Sequence, residues 1–88
     1  MDITAVDLGT VLTQLRSRFR DAPAQGAILG RTALRDEVAA FLGCSLLEAE
    51  QIVDSLVVRG SVRLVQPPDE LAVWDLGDTD RSAPRTGG

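Results

Sequence analysis

The stretch AAFLGCSLLEAEQIVDSLVVRG, residues 39–60, reads as the end of one helix, a stop, a start and a second helix. Phe41 and Leu42 extend an apolar face that begins with Leu34 and Val38, at helical spacing. Gly43 ends that run, as a residue without Cβ suits the position after a helix. Ser45 follows, with Glu48 three residues later. This is the capping-box pattern, in which each side chain accepts from the other's backbone N–H. Ala49, Ile52, Val53 and Leu56 then mark a buried stripe, and Gly60 is placed just beyond the helix end.

Working outward, Thr32 is a candidate N-cap for the middle helix, expected over 33–42, and the last helix is expected over 46–59. Upstream, Leu8, Val11, Leu12, Leu15 and Phe19 recur at three- and four-residue steps. They predict a first helix over 4–20, with Asp2 and Thr4 as candidate N-caps. Arg16, Arg18 and Arg20 crowd its last turn, where cations complement the helix dipole. Asp21, Ala22 and Pro23 end it. Between these helices Gln25–Gly30 is a short apolar run, compatible with a brief strand. After Gly60 the period changes to two. Strands are expected over 61–66 and 71–76, around the turn cluster Pro67-Pro68-Asp69-Glu70. Leu15, Phe19, Val38, Phe41, Leu42, Ile52, Val53 and Leu56 form the expected core.

Residues 27–76 resemble the winged helix-turn-helix superfamily. The resemblance rests on Ala39, Leu42, Gly43 and Ser45, then on Ala49, Val53, Leu56 and Gly60 at matching offsets. It implies a small α+β winged helix: a three-helix bundle with a C-terminal two-stranded hairpin, the wing. A single domain over 1–76 is expected, with a polar tail over 77–88 read as disordered. The resemblance does not fix function, because one fold hosts many activities.

Composition narrows the choice. The chain has 88 residues, a net charge of −4, one cysteine, no histidine, no tyrosine and no lysine. Cys44 has no disulfide partner, and a Cys/His zinc site cannot be assembled. General acid–base chemistry has no histidine, lysine or tyrosine to draw on, the Ser, Asp and Glu residues are too scattered, and no nucleophile has an evident base, so no catalytic residue, cofactor or metal ligand is assigned. No apolar run reaches membrane length and no signal-peptide pattern is present, which leads us to expect a cytoplasmic setting.

In a DNA-reading winged helix the third helix enters the major groove, where amide and basic side chains read base edges and phosphates. Here that helix carries Glu48, Glu50 and Asp54 among Leu46, Leu47, Gln51 and Val58. Carboxylates repel a polyanion, and Asp69 and Glu70 place the same charge at the wing. The same acids also fit a plainly solvated helix face. We therefore expect a protein partner, basic or a second copy of the chain, contacting Leu46, Leu47, Glu48, Glu50, Gln51, Asp54 and Val58. On the hairpin, a four-residue loop would pair Arg63 with Trp74 and turn Val65 and Trp74 outward, making them further contacts. It would turn Val62, Leu64, Leu71 and Val73 inward. A loop one residue different would put Trp74 in the core, and the sequence leaves both registers open. The alternative function is a double-stranded DNA-binding regulator, with Gln51 and Ser55 on bases and Arg31, Arg35 and Arg63 on phosphates. A basic patch of Arg16, Arg18, Arg20, Arg31 and Arg35 is a further possibility. Asp75, Asp78 and Asp80 are too poorly spaced for a calcium loop.

Overall fold

A computed structural model describes residues 5–77. Three helices, α1 (Leu8–Arg18), α2 (Leu29–Leu42) and α3 (Leu46–Val58), are followed by strands β1 (Arg63–Val65) and β2 (Val73–Asp75). The strands pair antiparallel, giving the expected α+β bundle with a hairpin. Asp2, Thr4 and residues 78–88 of the tail, with Asp78 and Asp80, lie outside the described residues. No helix among the described residues is long and apolar enough to cross a membrane.

Helix α1 starts at Leu8, because Asp7 caps it. The Asp7 carboxylate accepts from the Gly9 and Thr10 backbone N–H groups at 3.0 and 3.4 Å, and from the Thr10 hydroxyl at 3.0 Å. These bonds satisfy donors that have no partner inside the helix. The expected span of 4–20 was too long at both ends.

Helix α2 starts at Leu29, four residues before the expected start, and its N-cap Ile28 offers no side-chain bond. Thr32 lies inside the helix, donating its N–H to the Ile28 carbonyl at 3.0 Å. A tertiary contact sets this start. Gln25 forms an antiparallel bridge with Val73, and the Gly26 N–H donates to the Ala72 carbonyl at 2.7 Å. Gly26, at φ 91°, then turns the chain into the helix. The strand-like run is thus one bridging residue, and Ile28 and Leu29 are left exposed. At the other end Gly43, at φ 66°, donates to the Ala39 carbonyl, closing α2 before Ser45 opens α3.

The hairpin pairs Arg63 with Asp75, Leu64 with Trp74 and Val65 with Val73. This is one residue away from the four-residue-loop register, and such a slip exchanges the faces of β2. Ala72, Trp74 and Leu76 are therefore buried, Leu71 is exposed and Val73 is half-buried. Arg63 does not lie over the indole; it pairs with Asp75 at 3.2 Å. Bonds from outside the hairpin fix this register. The Trp74 N–H donates to the Ala24 carbonyl at 3.0 Å, and its indole Nε1 to the Gly26 carbonyl at 2.9 Å. With the 24–26 segment on one side of β2, β1 is the outer strand, and all three of its residues are exposed.

The core gathers Val11 and Leu15 of α1, Leu34 and Val38 of α2, and Ala49, Ile52, Val53 and Leu56 of α3. Val62, Trp74 and Leu76 close it from the hairpin side. Phe19 and Leu42 pack on its margin. Phe41 departs from expectation: it is 40% exposed. Among the described residues, the first turn of α1 and the residues before that turn stand opposite it. Between them lies an open groove of about 440 Å³ lined by Ala5, Val6, Thr10, Val11, Phe41 and Leu42, with Asp7 at its edge.

Candidate protein-interaction face

Helix α3 buries Ala49, Ile52, Val53 and Leu56 and turns the opposite side to solvent. Leu47, Gln51, Asp54 and Val58 succeed one another at steps of four, three and four, so they share one stripe. Leu47 is 70% and Val58 78% exposed. Leu46, the first residue of α3, is 52% exposed. Six expected contacts, Leu46, Leu47, Glu50, Gln51, Asp54 and Val58, are therefore on or beside one surface. Val65 is exposed but belongs to β1. Trp74 is buried under the α2 start and offers no outward contact.

The three carboxylates of α3 have different local roles. Glu48 completes the capping box: its Oε1 accepts from the Ser45 N–H at 3.0 Å, and the Ser45 hydroxyl accepts from the Glu48 N–H at 3.1 Å. The bond from the Ser45 backbone holds the Glu48 carboxyl below its ordinary pKa. Glu50 accepts from Arg31 Nε across the α2–α3 contact at 2.8 Å. Asp54 lies 3.9 Å from Nη2 of the same guanidinium, and its side chain is 68% exposed. One arginine therefore serves two carboxylates.

The arginines considered for phosphate binding are engaged within the chain. Arg31 bridges Glu50 and Asp54, Arg35 pairs with Asp36 at 3.0 Å, and Arg63 pairs with Asp75. The Ser55 hydroxyl donates to the Gln51 carbonyl at 3.0 Å, which occupies its proton inside the helix. The basic residues of α1 are also engaged within the chain. Arg16 Nε donates to the Leu76 carbonyl at 3.0 Å, and Arg18 lies 3.5 Å from Glu37. Glu37 also accepts from Gln14 at 2.9 Å, so it brackets α1 to α2. Sequence reading missed these brackets, because an arginine gives no sign of its cross-helix partner until the helices are packed.

Cys44 is half-buried in the α2–α3 turn. Among the described residues no group of three or more His, Cys, Asp or Glu side chains is placed to hold a metal ion. No protein-family model, no curated protein and no solved structure matches the chain.

Proposed function

We propose that this chain is a non-catalytic interaction module of winged-helix type, an adaptor, regulatory subunit or dimerising domain, that binds a protein through the outer face of α3. The observation that carries this reading is the pairing of Leu47 and Val58, each at least 70% exposed, around an acidic centre on one helical stripe. Aliphatic area at a docking face supplies the burial, and charge supplies orientation and a faster encounter. The non-catalytic assignment rests on a sequence without histidine, lysine or tyrosine. Duplex DNA is the weaker reading. It would have to free Arg31, Arg35 and Arg63 from their carboxylates while bringing Glu50 and Asp54 toward phosphates.

The test is affinity capture with the whole chain, followed by binding kinetics with the captured protein. Leu47→Ala is expected to speed dissociation without altering the fold. Glu50→Arg is expected to act mainly on association rate and its salt dependence. Normal kinetics for both variants would remove α3 as the binding face.

A further inference from the structure

The stripe on α3 also specifies the chemistry of what covers it, an argument that rests on the protein-interaction reading above. Leu47 and Val58 stand eleven residues apart, about 16 Å along the helix. A partner that buries both must also cover Asp54, which lies between them on the same stripe. Removing water from a carboxylate without a compensating charge is strongly unfavourable. Arg31 compensates only in part: its Nε is committed to Glu50 at 2.8 Å, and its Nη2 lies 3.9 Å from Asp54. Two carboxylates and one guanidinium leave a net negative charge at the middle of the face.

The α3 of a second copy does not meet that need. Antiparallel self-pairing that sets Leu47 against Val58 sets Gln51 against Asp54, an amide where a cation is required. An apolar or acidic partner fails for the same reason. We infer that α3 receives a cationic amphipathic helix, laid antiparallel, with Arg or Lys opposite Asp54 and apolar residues opposite Leu47 and Val58. Antiparallel alignment sets the two helix dipoles favourably against each other. Asp54 is off-centre in the stripe, so this orientation defines a pattern on the partner. An apolar residue is followed four positions later by the cation, and seven positions after that by a second apolar residue.

Two synthetic helical peptides of identical composition test the inference. Both have an alanine- and glutamine-based host with leucine at the first and twelfth positions of the motif. One carries arginine at the fifth position and the other at the third, off the stripe. Each is titrated into the isotope-labelled chain and followed by amide chemical shifts. The first peptide is expected to shift residues 46–58 and to bind about tenfold more tightly than the second, with binding that weakens as salt rises. Asp54→Asn should remove that preference. Its thermal melt should match wild type, because its ion pair with Arg31 is long and exposed. Arg31→Gln should tighten binding by a few fold, because it removes the competing cation. Equal affinity for the two peptides, shifts on another surface, no shifts at all, or no effect of Asp54→Asn would each overturn the inference. Concentration-dependent self-association through α3 would identify a second copy instead. If a captured protein partner footprints elsewhere, this inference fails while the interaction-module reading stands.

Discussion

Gly30 lies in the first turn of α2 directly beneath the Trp74 indole. A Cβ built there would collide with indole Cδ1, and would lie 2.7 Å from Nε1 and 3.0 Å from the Gln25 carbonyl oxygen. The indole has little freedom to retreat, because Nε1 is bonded to the Gly26 carbonyl and the ring is only 7% exposed. Gly30→Ala should gain about 1 kcal/mol of helix propensity. Overpacking of about 1–3 kcal/mol should exceed that gain, giving net destabilisation. Denaturant unfolding followed by the single tryptophan measures both the loss and any red-shifted native emission; an unchanged midpoint would mean that the indole shifts freely. Neither residue's role was legible in the sequence. Gly30 ends a short apolar run and looks like a spacer, while Trp74 sits in a strand too short for alternation to fix its side. The missing information is the contact itself, which joins positions 44 residues apart in the chain.

Helix ends divide according to whether their cause is local. The α3 start was legible because Ser45 and Glu48 lie within one turn and satisfy each other's backbone donors. The α1 start was misplaced because Asp2, Thr4 and Asp7 are all suitable cap residues, and the sequence does not rank them. The α2 start has no local cap and follows from the bridge to β2. The acidic caps also predict a pH response. Glu48 and Asp7 both have lowered carboxyl pKa values: Glu48 through the bond from the Ser45 backbone, and Asp7 first through the Thr10 hydroxyl and then through backbone N–H groups. A depressed folded-state pKa contributes stability above the ordinary value. That contribution is lost as pH falls through the lowered one. The melting temperature should therefore fall as pH drops below about 4.5 for Glu48 and 3.8 for Asp7. Glu48→Gln, which retains an acceptor for the cap, should flatten the upper part of that fall in thermal melts across pH 3–6. An unaltered profile would assign the acid sensitivity to other carboxylates. Ser45→Ala should cost about 0.5–2 kcal/mol at neutral pH, read by denaturant unfolding.

At the scale of the whole molecule, one core joins all three helices to the hairpin. Leu56 is its hinge: it is 1% exposed, and its carbonyl accepts from the Ser61 and Val62 N–H groups at 3.0 and 3.3 Å. Leu56→Ala should cost about 2–5 kcal/mol in denaturant melts, with helix and tryptophan signals lost together. A cost below about 1 kcal/mol would mean that the site collapses around the missing methyls. The charge arrangement gives the second prediction at this scale. The chain carries a net charge of −4, and Arg31, Arg35 and Arg63 each hold a carboxylate in place. Non-specific DNA affinity comes from neutralising phosphates and releasing their counterions, so a cation already paired contributes little. Titration of a labelled random duplex at physiological salt should give binding no tighter than the weak non-specific range, about 10⁻⁴ M. Arg31→Gln separates the two functional readings by its sign. If Arg31 were a phosphate contact, its loss would weaken DNA binding and reduce the salt slope by about one unit. If it screens the acidic centre of α3, its loss leaves DNA binding weak and strengthens attraction for cationic partners. Micromolar duplex affinity with a steep salt slope, reduced by Arg31→Gln, would make the α3 face a nucleic-acid surface. Weak binding in both proteins, with tighter capture of the cationic helix by the variant, is the outcome expected from the pairing of Arg31 with Glu50 and Asp54.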